Sequence, residues 1–131
     1  MVEFKIDIDN HKFSNYLKIF GFRYRMLRYA GVRLYSVHVF RTKHGFHIYL
    51  YTKKIYSFET ILLIECFLNS DVNKQLYAFI EGKDILFREK HRKNYTSREK
   101  YDVEKTKKLL NLIQKINKEQ RKQKIIEVSL R

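Results

Sequence analysis

Two aspartates one residue apart, Asp7 and Asp9 in FKIDIDN, stand upstream of a histidine and two tyrosines at two-residue steps, His47, Tyr49 and Tyr51 in TKHGFHIYLY. These are the residues whose types and spacing can do chemistry. Carboxylates two positions apart on a strand point to the same side, about 6.5–7 Å apart at the backbone. Hard divalent cations such as Mg²⁺ or Mn²⁺ favour oxygen ligands of this kind, usually shared with substrate phosphates. A neighbouring histidine can touch a phosphate or pass a proton near neutral pH. Tyrosine rings offer planes on which bases stack. Asp-x-Asp also occurs at solvent-facing strand ends, so its meaning depends on whether folding brings His47 to it.

The elements that must position these residues follow from periodicity. Val2, Phe4, Ile6 and Ile8 alternate with Glu3, Lys5, Asp7 and Asp9, which predicts a half-buried strand. Asn10 is placed to cap a helix carrying Phe13, Tyr16, Leu17 and Phe20, with Gly21 as its stop. An Arg/Tyr-rich connection leads to a strand over 32–41. Lys43, His44 and Gly45 turn into a third strand over 46–52, making a hairpin. Ser57 caps an apolar helix reaching Leu68. Asn69, Ser70 and Asp71 start another, with Leu76, Phe79 and Ile80 inward and Gly82 at its end. DILF (84–87) reads as a fourth strand.

The order β-α-β-β-α-β predicts an α+β, ferredoxin-like or RRM-like sandwich with an antiparallel four-stranded sheet over residues 1–90. Residues 91–131 form a basic C-terminal helix and tail, packed on the core or extending from it. Thr96 and Glu99 resemble a capping box, and Leu109, Leu112, Ile113 and Ile116 share one face. IIEVSL (125–130) reads as an edge strand or a partner contact, the latter a route to a homodimer. In this arrangement the first and third strands are the central pair. Their apolar sets face the helices, so Asp7, Asp9, His47, Tyr49 and Tyr51 share the opposite, open face.

Length and composition bound the partners. A 131-residue chain with 44% apolar and 15% aromatic residues is long enough for one modest core and too apolar for disorder. The net charge is +14, unevenly spread: residues 10–58 hold ten Lys or Arg and no acidic residue, and residues 88–131 are net +9. Residues 59–87 between them are net −3, and residues 1–9 are net −2. Such zones point to a polyanion, because Lys/Arg-rich surfaces release counterions on binding phosphate backbones. FRYRMLRYAGVRLY interleaves Arg23, Arg25, Arg28 and Arg33 with Tyr24, Tyr29 and Tyr35, a pattern suited to phosphates and bases. Arg41 and Lys43 at the hairpin, with Tyr49 and Tyr51, complete the expected nucleic-acid surface, for DNA or RNA. The competing reading is a solubilising charge with the tyrosine face and tail used for assembly. No apolar run is long enough to span a membrane, and no basic-then-apolar leader opens the chain. The single cysteine, Cys66, excludes an internal disulfide and fits an intracellular setting, where a packed thiol is expected.

FKIDIDN followed by RTKHGFHIYLY resembles the first two motifs of the archaeo-eukaryotic primase superfamily: an apolar strand ending in Asp-x-Asp, then a small-residue turn into Gly-aromatic-His-apolar. The resemblance spans roughly residues 2–90. It implies metal binding by Asp7 and Asp9, phosphate contact by His47, and a metal-dependent nucleotidyltransferase or a binding-only relative. Where that family has Ser in its second motif, this chain has Thr42 or Lys43. The family's third motif adds another carboxylate, for which Asp71 and Asp84 are the candidates, either of which can instead be a cap or loop residue. Size and lysine-rich, proline-free composition also resemble small proteins of viruses infecting hyperthermophilic archaea, which would place the chain in a host cytoplasm. A replication nickase, pairing a His-x-His strand with a helical Tyr, is the remaining alternative. Tyr101 and Lys105 fit that pattern, but Tyr49 occupies the second histidine's place.

Overall fold

A computed structural model describes residues 2–84, 86 and 99–129, with side chains through residue 119. The chain is α+β: strand β1 (Val2–Asp9), helix α1 (Phe13–Tyr29), β2 (Ser36–Arg41), β3 (Gly45–Thr52), α2 (Phe58–Phe67), α3 (Val72–Glu81), β4 (Lys100–Tyr101) and α4 (Val103–Ser129). The four strands form one antiparallel sheet in the order β1-β3-β2-β4.

Alternation in β1 works as expected. Phe4, Ile6 and Ile8 are fully buried and sit opposite Leu50, Ile48 and Phe46 of β3. The β2–β3 hairpin closes through Thr42 and Gly45: the Thr42 amide donates to the Gly45 carbonyl at 2.9 Å, and the Gly45 amide donates to Thr42 Oγ1 at 3.0 Å. Gly45 is required because β1 passes against it; a Cβ there would lie 1.7 Å from the Ile8 carbonyl oxygen.

The first helix does not stop at Gly21. It runs to Tyr29, because Tyr24 and Leu27 continue the stripe of Phe13, Tyr16 and Phe20 into the core. A mid-helix glycine costs only about 1 kcal/mol, less than burying those two side chains returns. Gly21 faces α4, where an added Cβ would lie in ordinary contact with Leu112 Cδ2 at 3.6 Å. Asn10 is not the cap: it takes a left-handed conformation (φ 59°) and its amide donates to the His44 carbonyl at 2.8 Å, while Lys12 occupies the N-cap without a side-chain bond. The second strand begins at Ser36 rather than 32, with Val32 and Leu34 buried in the irregular approach to it.

The caps of α2 and α3 follow expectation. Ser57 accepts from the Thr60 amide, Asp71 accepts from the Lys74 amide, and Gly82 closes α3 in a left-handed conformation. The inward set of α3 does not: Leu76, Phe79 and Ile80 are 56%, 64% and 72% exposed, and Lys74, Gln75 and Ala78 are buried instead.

The strand order departs from the expected one. Asp84 and Leu86 are not in a strand, and residues 85 and 87 of the anticipated fourth strand lie outside the described residues. Among the described residues the fourth strand is Lys100–Tyr101, on the far side of β2, which leaves β1 at the edge of the sheet they form and not at its centre. Its outer edge is satisfied by side chains and loop backbone of α2 and α3. The Lys5 amide donates to Glu65 Oε2 at 2.6 Å and the Asp7 amide to Ser70 Oγ at 3.0 Å. The Asp71 amide donates to the Asp7 carbonyl at 2.7 Å and Lys74 Nζ to the Lys5 carbonyl at 2.5 Å. A buried edge must find partners for its backbone groups, and here helices supply them in place of a strand.

The core lies between the sheet and the pair α1–α4, where Leu109, Ile113 and Ile116 are fully buried and Leu112 partly so. Asp102, not Thr96 and Glu99, caps α4: its Oδ1 accepts from the Lys105 amide at 3.0 Å. Thr96 is outside the described residues, and Glu99 serves elsewhere. Residues 125–129 are helical, correcting the expected edge strand; Leu130 lies outside the described residues.

Candidate metal and phosphate site

The register places Asp7 directly opposite His47, and Asp9 opposite Gly45, on the sheet face away from α1 and α4. Both Asp7 and His47 are buried, at 3% and 7% exposure, and His47 Nε2 lies 3.5 Å from Asp7 Oδ1. Among the described residues that solvent-shielded oxygen makes no hydrogen bond, and its charge partner is His47. A buried carboxylate with one long histidine contact and no short hydrogen bond at that oxygen has capacity left for a ligand.

Asp71 completes the group. Its amide is tied to the Asp7 carbonyl, and one carboxylate oxygen each from Asp7, Asp9 and Asp71 lies within 4.8 Å of the others. Burial, followed by the Asp7 and then the Asp71 carboxylates, raises Asp9 above the usual carboxylate range, and His47 pulls the other way. Three oxygens from three carboxylates suit a hard divalent cation such as Mg²⁺ or Mn²⁺.

The second ring nitrogen of His47, Nδ1, is 3.4 Å from Glu99 Oε2, and the Tyr49 hydroxyl donates to Glu99 Oε1 at 3.4 Å. His47 is thus held between Asp7 and Glu99. Glu99 was not expected here: sequence alone placed it in a helix cap, and its role depends on β4 pairing with β2. Asp71 was one of two candidates for a third carboxylate. Asp84 is taken up elsewhere, accepting from buried Lys74 Nζ at 2.7 Å.

Lys74 also donates to Glu65 Oε1 at 3.1 Å, forming a buried ionic cluster behind β1. Burial first, then the neighbouring Asp84, pushes Glu65 up to about 9 against the pull of Lys74 and the Lys5 amide. The folded state therefore keeps a proton that the unfolded chain releases above its ordinary carboxylate pKa. This contribution is fully present below about pH 4.5 and is lost as pH rises through about 9. Thermal melts should show wild type losing at least about 4 °C more than Glu65→Gln between about pH 6 and about pH 9. Parallel curves for the two proteins would exclude the shared proton.

Along the same sheet face runs an aromatic row. Phe40 meets Tyr49 at 5.4 Å and Tyr101 at 5.2 Å between ring centroids, and His38 meets Tyr101 at 5.7 Å and Tyr51 at 5.6 Å. Tyr101 is 45% exposed, Tyr51 is half-buried and Tyr49 is buried, so the expected open tyrosine surface is carried by different members than the sequence suggested.

The arginines expected to contact nucleic acid are spread over the fold and engaged within it. Arg23, Arg25 and Arg28 belong to α1, not to a connection. Arg23 donates to the Phe67 carbonyl at 2.9 Å, Arg25 pairs with Glu119 at 2.9 Å, and Arg28 donates to the Val32 carbonyl at 3.3 Å. Tyr24 is fully buried, accepting from the Leu34 amide and donating to Asn117. Arg33 stacks on Tyr35, Arg41 faces Asp102 at 3.4 Å, and Lys43 is exposed in the hairpin turn. Compared with known proteins, the chain matches no family model, no curated protein and no solved structure.

Proposed function

We propose that this is a nucleic-acid-binding protein that receives a phosphate group at the Asp7–Asp9–Asp71 end of its sheet and bases along the aromatic row. The observation that carries the reading is the convergence of one carboxylate oxygen each from Asp7, Asp9 and Asp71 within 4.8 Å of one another, with Asp7 buried beside His47, on the face that bears the row. A divalent cation held there would join these carboxylates to a polyanion, the partner class that the net charge of +14 favours. Asp7, Asp9 and Asp71 would hold a divalent Mg²⁺ or Mn²⁺ ion, which when bound neutralises phosphate charge and polarises the phosphorus centre. His47, fixed between Asp7 and Glu99, orients a ring nitrogen at the carboxylate group and relays a proton there. Phe40, His38 and Tyr101 offer planes to bases in the manner of an RRM-like sheet, although the strand order differs from a ferredoxin-like one.

A second reading is metal-dependent nucleotidyl transfer of the primase-like kind. Asp71 favours it, since a third carboxylate joins Asp7 and Asp9 from a separate loop. The two readings share the site and differ in whether a phosphodiester is made.

Fluorescence anisotropy with a single-stranded oligonucleotide tests the binding. Affinity should fall at least about tenfold between about 50 and about 200 mM salt. Tyr101→Ala should cost about 1–3 kcal/mol of binding if bases stack on the row. Absence of binding at low salt would remove the proposal. Incorporation of labelled nucleotide with Mn²⁺, abolished by Asp9→Asn, distinguishes transfer from binding alone.

A further inference from the structure

Two cations from different segments converge on one exposed ring at the open end of the β2–β3 hairpin. The Lys53 ammonium lies 4.5 Å, and the Arg33 guanidinium carbon 5.2 Å, from the centre of the Tyr35 ring. Arg33 comes from the approach to β2 and Lys53 from just beyond β3. All three residues are exposed, Tyr35 by 41%. The tyrosine is anchored, because its amide donates to the Tyr51 carbonyl at 2.9 Å. Among the described residues neither cation pairs with an acidic side chain, and the Tyr35 hydroxyl makes no hydrogen bond. Lys54, next in the chain, lies 5.5 Å from the centre of the Tyr56 ring and also lacks an acidic partner among them. Glu3, opposite Tyr51 in the register, sits 4.0 Å from Lys5 instead. Like charges repel in water, and here the ring's negative face gathers two of them.

We propose that Arg33, Lys53 and Tyr35 form a second phosphate site, which holds the backbone of a single-stranded nucleic acid whose bases lie on the aromatic row. The inference rests on the nucleic-acid reading above and gives it a second anchor. A planar guanidinium fork and a compact ammonium both suit a phosphate, and the tyrosine hydroxyl can add a further hydrogen bond. Placement sets the path of the strand. The carboxylates stand at the turn end of the hairpin, with Asp9 opposite Gly45, and the cation pair stands at the other end, where Ser36 pairs with Tyr51. Phe40, Tyr49, His38 and Tyr51 occupy the length between them. From His47 to Lys53 the extended chain advances about 20 Å. A single nucleotide does not reach both ends, so the ligand is an oligonucleotide held directly by cations at one end and through a divalent ion at the other.

Fluorescence anisotropy with a labelled oligothymidylate of about twelve residues tests the site. Arg33→Ala and Lys53→Ala should each weaken binding at least about threefold, and together at least about tenfold, with far-UV circular dichroism unchanged. Each should also flatten the slope of log affinity against log salt by about 0.7, the share of one single-strand phosphate contact. Lys118→Ala removes the same charge from an exposed position on α4 and should leave affinity within about twofold of wild type. In the wild-type protein, bound oligothymidylate should slow acetylation of Lys53 at least about threefold and leave Lys118 as reactive as before, read by mass spectrometry. Wild-type affinity in both Arg33→Ala and Lys53→Ala, an equal loss in Lys118→Ala, or an unprotected Lys53 would overturn this site and leave the nucleic-acid reading standing. A wild-type protein that does not bind the oligonucleotide at low salt would remove both.

Discussion

Addition of Mn²⁺ or Mg²⁺ should stabilise the wild-type protein by about 2.7 kcal/mol once the cation reaches about 100 times its dissociation constant. The gain comes from binding to the folded state alone, because the unfolded chain does not bring Asp71 to Asp7 and Asp9. Asp7→Asn, Asp9→Asn and Asp71→Asn should each remove most of this gain. Without cation, Asp9→Asn should melt higher than wild type, because the raised proton affinity of Asp9 reports strain from burial and the two neighbouring carboxylates. The sign also sets the pH dependence. A raised carboxylate stabilises the fold at low pH and costs stability as pH rises through its folded pKa, so cation binding should strengthen over the same rise. Scanning calorimetry with and without Mn²⁺ measures all of this. Equal melts in wild type and all three variants, with and without cation, would rule out the site.

Replacing Lys74 by Met should destabilise the protein by about 3–5 kcal/mol, measured by urea denaturation. The Lys74 ammonium is wholly buried and donates to the Lys5 carbonyl, Glu65 and Asp84. Met fills similar volume but leaves the Asp84 carboxylate and an edge-strand carbonyl without this donor and takes one donor of several from Glu65. The cost falls on the lock between β1 and the α2–α3 unit, which also carries Ser70 and Asp71 to Asp7. The same variant should therefore weaken cation binding although Lys74 is not at the carboxylate group. The triple change Glu65→Gln/Lys74→Met/Asp84→Asn, which removes the charges together, should recover part of the lost stability. A loss under about 1 kcal/mol for Lys74→Met would show that β1 holds its edge without this cluster.

Both predictions turn on contacts that differ in how far sequence could anticipate them. The shared face of Asp7 and His47 was legible, because alternation in β1 and β3 fixes which side chains lie together, while their direct pairing depended on β1 lying beside β3. The caps at Ser57, Asp71 and Gly82 were legible for the same local reason. Gly21 misled, since a glycine can end a helix or sit within one, and only the burial of Tyr24 and Leu27 beyond it distinguishes the two. The arginine-tyrosine run misled similarly: its spacing suits a nucleic acid, but within α1 the same side chains meet Phe67, Val32, Glu119 and Asn117.

The amino-acid sequence by itself determined β1, the β2–β3 hairpin, most of the helices, the shared face of Asp7, Asp9 and His47, and the charge that favours a polyanion. These depend on interactions within a few residues or on simple sums over the chain. Tertiary structure alone decided that β1 lies at an edge and that helices satisfy that edge. It also chose Asp71 over Asp84 as the third carboxylate, and brought Glu99 behind His47. The reason is common to all four. Each follows from which distant backbone groups and charges find one another on burial, and neither periodicity nor spacing encodes that choice.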